Sequence, residues 1–485
     1  MSAAAPGAWL VWLVMAPLIA AVLVFLIPRI AFGIACVNAL CTTVLALAVF
    51  DRVAEGPVRY ALGGWGAPLG IDLYADPLTG VMLVGASLVL LATTFYSPGY
   101  LTHARINPLY WPLVLILQAA LNALFLSADI FNLYVTLELL GLAAVGLVAL
   151  ADRAQATAAA LKYLLASLVA SLGYLLGVAL LYHSYGVLDL AALADRATGT
   201  PVTWAALGLM TAALAVKGAL FPLHFWLPGA HSYAPAPVSA LLSALVVKAP
   251  FYVLLRLWLG PFLDAPPAVG DLLGVLGVAA IIWGSVQALR QDRLKLLIAY
   301  STVAQIGFLF LFFPLVKAHT IVTGITLLVL AHALAKAAMF LAAGNIIHYL
   351  GHDRIRDLHR VAKELPLTLA AFGIGGACIA GLPPSGNFIA KWLLIEAAFD
   401  SGEWGWAVVV VIGSLLSAAY VFRVIGHAFT LDEVPETGNP VARPMVWAAF
   451  LLALAALTLG LFAAPLLDIV SMPLADTVDA MRPVR

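Results

Sequence analysis

The chain has 485 residues, 64% of them hydrophobic and only 10% charged, with 24 Lys+Arg against 24 Asp+Glu and a mean hydropathy of +1.06. Soluble domains carry about a quarter charged residues, so a soluble enzyme is excluded. Nucleic acid is not an expected partner, and what remains is a chain that crosses a lipid bilayer many times.

Apolar stretches of roughly 20 residues, each enough to cross a hydrocarbon core of about 30 Å, occupy residues 9–28, 30–50, 78–96, 109–126 and 130–150. More follow at 158–183, 202–227, 237–259, 269–289 and 296–314, and the last four at 320–349, 366–399, 406–429 and 445–467. The length criterion thus predicts an all-α polytopic membrane protein of about fourteen helices. The first stretch lacks a preceding Lys or Arg and a convincing cleavage site, which predicts a retained span rather than a signal peptide. Cys36, Cys41 and Cys378 fall inside apolar stretches and read as small core residues, suggesting neither a disulfide framework nor a metal site.

Taken alternately, one set of loops holds Arg29, Arg105, Arg153, Arg290, Arg293, Lys295, Arg354, Arg356, Arg360, Lys363 and Arg443. The other holds Arg52, Arg59, Arg196, Lys317, Arg482 and Arg485. The richer set is expected on the cytoplasmic side of the cell inner membrane, with both termini outside. No loop approaches the roughly 50 residues of a typical domain. Neither a GxxxxGK loop nor a CxxC pair occurs. ATP hydrolysis and electron transfer within the chain are therefore not expected, and no cofactor or metal is predicted.

Against this apolar background Glu138, Lys217, Lys248, Lys336 and Lys391 stand inside long stretches. A charge at the bilayer centre costs at least about 2.5–3.5 kcal/mol, so each is a functional hypothesis by default. Prolines interrupt two stretches at depth. Lys217 stands shortly before Pro222 in LAVKGALFPLHFW, and Pro383 and Pro384 shortly before Lys391 in GLPPSGNFIAKW. Broken helices free backbone groups, which is tolerated only where protein or a water-filled cavity surrounds them. Paired interruptions in corresponding halves point to a transport site. LLSA at 241–244, after the first break, recurs at 415–418, after the second. Their placement five helices apart, an odd number, predicts two inverted five-helix repeats, 109–259 and 269–429, preceded by three helices in 1–108 and followed by a C-terminal helix and tail in 444–485.

These residues resemble a known family, the antiporter-like proton-conducting subunits shared by complex I, membrane-bound hydrogenases and Mrp-type multisubunit sodium/proton antiporters. The resemblance spans roughly 69–429. It rests on ADPLTGVM (75–82), FNLYVTLELL (131–140), ALKYLL (160–165), the run KGALFPLHFWLPGAHSYAPAPVSALLSALVVKAPFY (217–252), AYSTVAQIGF (299–308), HALAKAAMFLAAGNI (332–346) and GLPPSGNFIAKW (381–392). It implies that Glu138 on the fifth helix pairs with Lys217 of a broken seventh helix, and that Lys248 is a linking lysine on the eighth. It further implies that His332 and Lys336 form a central relay on the eleventh and that Lys391 is the terminal lysine of a broken twelfth. Two positions depart from the family pattern. GNF replaces the usual GGF or GFW before Lys391, so Asn387 is expected to tune hydration there, and Pro250 is expected to kink the eighth helix beside Lys248.

The chemistry suits such a row. Desolvation lowers a lysine's proton affinity and a nearby carboxylate restores it. An opening Glu138–Lys217 pair would therefore make Lys217 a better donor toward Lys248, and histidine suits a relay near neutral pH. His332 and Lys336 are spaced i, i+4, on one helix face. Simpler readings exist for other residues. Arg256 and Arg423 lie nearer helix ends and are expected to snorkel to the headgroups, and Lys162 either snorkels or lies deep. Glu138 could instead pair with a lysine of a neighbouring subunit. His224 and His231, in a polar linker after the first break, line a cytoplasmic access path or are ordinary interfacial residues. Asp76 is a candidate N-cap. His348, His427, Glu396 and Asp129 are weaker candidates.

Three functions fit: a proton-conducting subunit of a cation/proton antiporter, a pumping module of a redox complex, or a chain that energises a partner such as one taking up inorganic carbon. Each implies other membrane subunits as partners, and none makes this chain an enzyme by itself. The chain runs about 18 residues past its fourteenth stretch, without the lateral helix of the largest complex I subunit of this family, and LGGWGAPLGIDLYADPLTG (62–80) resembles D-type Mrp subunits. Hard cations want several oxygen ligands, and the few scattered carboxylates make the proton the expected ion here.

Overall fold

The computed structural model describes residues 7–101, 108–151, 153–430 and 438–470. Arg105, Arg482, Arg485 and the tail after 470 lie outside the described residues. Ten helices are long and apolar enough to cross a membrane, and four shorter apolar helices accompany them. All fourteen apolar stretches are helical, in the polytopic architecture their lengths predict.

The chain begins with α1 (Val11–Leu26) and α2 (Ala31–Val53) and then forms a hairpin of β1 (Val58–Ala61) and β2 (Asp72–Ala75). The strands are antiparallel, with Arg59 opposite Tyr74. This hairpin is an addition to the all-α expectation. Arg59 ties it down, its Nε donating to Asp72 at 2.7 Å and its Nη2 to Asp189 at 2.5 Å. Burial alone would lower the Arg59 pKa, but the carboxylates of Asp189 and Asp72 hold it above its ordinary value.

Next come α3 (Pro77–Leu101), α4 (Tyr110–Leu126), α5 (Ile130–Ala149), the 32-residue α6 (Ala154–Tyr185) and a short α7 (Leu190–Arg196). The seventh stretch is divided into α8 (Pro201–Lys217) and α9 (Leu227–Tyr233). The eighth comprises α10 (Ala236–Leu241), a π-helical turn (Leu242–Val246) and α11 (Lys248–Trp258). After α12 (Pro267–Arg290), α13 (Leu294–Phe310), α14 (Ile321–Leu350) and a single turn, α15 (Val361–Glu364), the twelfth stretch divides into α16 (Pro366–Ala380) and α17 (Gly386–Asp400). The described part ends with α18 (Trp404–Ala428), α19 (Arg443–Leu461) and α20 (Ala463–Val470).

The α10–α11 segment and α14 are buried throughout their most apolar windows, whereas α1, α2 and α18 bury only about a third of theirs. The spans that carry Lys248, His332 and Lys336 therefore form the centre, and α1, α2 and α18 lie at the periphery of the described chain. Cys41 is exposed on α2 and Cys36 partly so, so only Cys378 is the core residue expected of all three. In lipid, helices associate through close packing of small residues. The α12–α13 pair shows this: a methyl on Gly307 would lie 2.4 Å from the Gly277 carbonyl, and one on Gly284 would lie 2.6 Å from the Ala304 amide.

Both predicted breaks are present. α8 stops at Lys217, the chain runs irregularly past Pro222, and α9 begins at Leu227. α16 stops at Ala380, with Gly381 in the left-handed region (φ 79°), and α17 restarts with Ser385 capping the Phe388 amide at 3.2 Å. The eighth span is irregular just before Pro250. The π-turn sends the Val247 amide to the Leu242 carbonyl at 3.2 Å, and a new helix starts at Lys248. That places Pro250 in a first turn, where a missing N–H costs nothing.

Candidate functional site

The first break places Lys217 at the C-terminal end of α8, where its ammonium meets the carboxylate of Glu138 on α5. Nζ donates to Glu138 Oε1 at 2.8 Å and to Ser167 Oγ of α6 at 2.8 Å. Ser171, one turn along α6, donates to the same Glu138 oxygen. Lys217 is buried, and Glu138 is about one-fifth exposed on this chain alone. The break also frees a carbonyl of α8, and Val216 accepts from the Trp226 indole at 2.8 Å.

α8 ends against the start of α11. A methyl on Gly218 would lie 3.6 Å from the Val247 carbonyl and 3.8 Å from Pro250 Cβ. The adjoining Lys248 donates to the Ser243 carbonyl inside the π-turn. Ser243 Oγ is 2.8 Å from Thr302 Oγ1 on α13, and Thr302 in turn donates to the Ile298 carbonyl at 3.0 Å. Lys336 of α14 reaches that same carbonyl at 3.3 Å and also donates to Ser301. Lys336 therefore binds one turn of α13 directly, and Lys248 is linked to the same turn through Ser243.

His332 lies one turn before Lys336, wholly buried. Neither of its ring nitrogens has a hydrogen-bond partner among the described residues. It shares one face of α14 with Lys336 at i, i+4. Lys391 on α17 turns back to the second break and donates to the freed Ile379 carbonyl of α16 at 2.9 Å. Its ammonium also sits 4.3 Å from the centroid of the Phe308 ring. Gln305 of α13 donates toward the same Ile379 carbonyl at 3.4 Å and to Ser417 of α18 at 3.2 Å.

One face of α13 thus touches the surroundings of Lys248, Lys336 and Lys391. It carries Ile298, Ser301, Thr302, Gln305 and Phe308, close to helical spacing and buried without exception. A search for intramembrane charge passes over these neutral residues; their one signal is polar residues at helical spacing within AYSTVAQIGF. Ser243 and Ser417, the serines of the two LLSA repeats, both reach this face.

Other residues depart from what position along the chain suggests. Arg256 does not snorkel. It is 3% exposed and its two Nη atoms clasp the Asp76 carboxylate at 2.5 Å each. Thr79 accepts from it at 2.7 Å and Tyr252 at 3.0 Å. Asp76 caps α3 as well, accepting from the Thr79 amide at 2.9 Å. His231 is not interfacial: it is wholly buried on α9 and stacks on Phe340 with ring centroids 4.8 Å apart. Lys295, expected in a loop, is buried and donates to the Ala234 carbonyl. His224 is half-buried, and Asp129 caps α5 through the Asn132 amide at 2.7 Å. Arg423 binds the carbonyls that end α12, including Gln291 at 2.8 Å. Asn387 is buried, with neither amide atom partnered among the described residues. Glu396 is exposed, His427 half-buried, and His348 faces Tyr100 with ring centroids 6.4 Å apart.

The family description "NADH:quinone oxidoreductase/Mrp antiporter, TM" matches residues 127–417, more than half of the chain. The chain belongs to this family. The matched span holds Glu138, Lys217, Lys248, His332, Lys336 and Lys391 together with both LLSA serines. Among its relatives, the chain is 39% identical over 409 residues to NADH-quinone oxidoreductase subunit N of Desulforudis audaxviator, covering 82% of this chain and 81% of that one. It is 29% identical over 427 residues to the D-type subunit of the Na(+)/H(+) antiporter of Bacillus subtilis, covering 86% and 85%. Among solved structures it resembles a chain of the Mrp complex from Dietzia sp. DQ12-45-1b, with TM-score 0.89, 25% identity, and coverage of 98% of this chain and 99% of that one. A chain of an archaeal membrane-bound sulfane sulfur reductase matches with TM-score 0.89 and 27% identity, at the same coverage. As a family member the chain is a multi-pass membrane protein of the transporter-subunit type, and both solved neighbours are parts of multisubunit membrane complexes.

Proposed function

We propose that the chain is the proton-translocating subunit of a multisubunit cation/proton antiporter, with protons passing along Glu138, Lys217, Lys248, His332, Lys336 and Lys391. Partner membrane subunits complete the cation path. The observation that carries this reading is the row of buried ammonium groups, with the Glu138–Lys217 pair at the first break, and the surroundings of Lys248, Lys336 and Lys391 reached from one face of α13 through Ser243, Ser301 and the Ile379 carbonyl. While the pair is closed, the carboxylate favours a protonated Lys217; when it opens, desolvation favours release toward Lys248. Ser243, Thr302 and Ser301 carry hydroxyls that both donate and accept, so they suit transfer between lysines. His332, unpartnered among the described residues and one turn from Lys336 on the same face of α14, carries two ring nitrogens that can accept and donate, and so suits a relay in the centre.

In this reading 109–259 and 269–429 are inverted repeats, each supplying one break and one LLSA serine. The chain sits in the cell inner membrane with both termini outside, as the loop Lys/Arg bias indicates. Glu138→Gln in the reconstituted assembly tests the pair: proton transport at the wild-type rate contradicts the role given to it.

A second reading is a pumping module of a redox complex. It is favoured by the identity to the NADH-quinone oxidoreductase relative of Desulforudis audaxviator, 39% against 29% for the Bacillus subtilis antiporter relative. Purification of the assembly separates the two. Iron–sulfur partner proteins favour the redox module, and small hydrophobic antiporter subunits favour the antiporter.

A further inference from the structure

A groove of about 640 Å³ runs down the outer side of the α6–α8 pair, lined by apolar side chains with Lys162 and Phe225 at one end. Lys162 is its one charged lining residue among those described. No carboxylate among the described residues forms a salt bridge with it; its ammonium lies 5.4 Å from the centroid of the Phe225 ring. The row from Glu138 to Lys391 makes no use of this lysine.

The depth of Lys162 follows from the length of α6. With 32 residues at 1.5 Å each, α6 is about 48 Å long, against a hydrocarbon core of about 30 Å. If the excess is shared between its ends, the ninth residue, Lys162, lies a few ångströms inside the boundary, where its flexible stem brings the ammonium to the phosphate layer. From there the groove descends past Val169 to Gly173 and Leu209. Lys162 to Gly173 is about 16 Å along the helix, close to the depth of one leaflet's share of the core, about 15 Å.

The groove is apolar along its length and carries one cation at the end that lies near the phosphate layer, a pairing that fits a lipid with an apolar chain and an anionic headgroup. We propose that the groove holds one acyl chain of an anionic phospholipid whose headgroup phosphate is bound by Lys162. The chain would pack between α6 and α8, the helices that carry Ser167 and Lys217, with Val216 in its wall.

Head and tail can be tested separately. Lys162→Gln removes the charge and keeps the groove. Gly173→Leu adds a side chain on the groove wall, where its first carbon has only ordinary van der Waals contacts, with the Leu209 carbonyl at 3.8 Å and Ala213 Cβ at 3.9 Å. The intact assembly is placed in nanodiscs of mixed phosphatidylglycerol and phosphatidylcholine. Its structure is then determined by electron microscopy, and lipid retained on detergent washing is quantified by mass spectrometry. A tubular density in the groove capped at Lys162 is expected in the wild type. Lys162→Gln should lower the preference for the anionic lipid about fivefold, the factor one cation near a membrane surface contributes, and Gly173→Leu should empty the groove. A partner subunit's helix in the groove, or an unchanged anionic preference in Lys162→Gln, overturns the proposal.

Discussion

Lys217 and Glu138 stand 79 residues apart in sequence, yet the end of a broken helix brings the ammonium within 2.8 Å of the carboxylate. Neither residue satisfies the other alone, because Ser167 and Ser171 complete the cluster from a third helix. Such a pair is weak evidence for stability, since the desolvation of two charges offsets much of their attraction. In the proposed function the pair is instead a gate for protons. Glu138→Gln should keep the fold and lower proton transport at least about tenfold, a conservative bound beside the roughly hundredfold or more that a positioned proton-transfer group contributes. Proteoliposome pH measurements on the whole assembly, with protein amount fixed by immunoblot, check this.

The Asp76–Arg256 clasp is expected to behave differently. It is buried and bidentate, has no place in the proton row, and joins the start of α3 to the end of α11. Removing one partner strands the other charge. Asp76→Leu or Arg256→Leu should each destabilise the chain by about 3–5 kcal/mol, and the double variant by much less than the sum. Unfolding in mixed detergent micelles, read as a double-mutant cycle, measures the coupling; additive losses would contradict it.

The polar face of α13 yields a sharper functional contrast. Thr302→Val removes the hydroxyl between Ser243 and the Ile298 carbonyl while keeping shape, and Gln305→Leu removes the donor shared by Ile379 and Ser417. Each should slow proton transport severalfold with normal assembly, seen as an unchanged elution profile beside a reduced pH-dye response. Ala299→Val on the same helix is the control for altered packing.

Gly307 tests the helix contact that supports this face. A side chain there would meet the Gly277 carbonyl at 2.4 Å and Ile281 at 2.8 Å, so Gly307→Leu should force α12 from α13. The overpacking cost is about 1–3 kcal/mol or more, and the expected outcome is reduced recovery of folded chain from membranes. Gly426, where a methyl meets nothing within 4 Å, should tolerate alanine.

Span number and the two breaks are legible in the sequence because hydrophobic length and intramembrane proline act locally. Lys217 and Lys391 are legible as isolated costs in an apolar background. Arg256 is not, because position along a helix says nothing of Asp76, which arrives from 180 residues away in sequence. His231 looks interfacial because prolines and polar residues surround it, yet α9 folds inward and covers it with Phe340. Ser301, Thr302 and Gln305 escape notice because neutral polar residues cost little enough in a helix to leave no strong mark. The hairpin is hidden in a glycine-rich segment whose strands are only four residues each.

The central claim is that protons travel the full row to Lys391 at the second break. The whole assembly, reconstituted in liposomes with an enclosed pH dye, is measured with and without sodium, comparing wild type with Lys391→Ala. The account predicts that the variant assembles and that its proton flux falls at least about tenfold under both conditions. Proton flux equal to that of the wild type would contradict it.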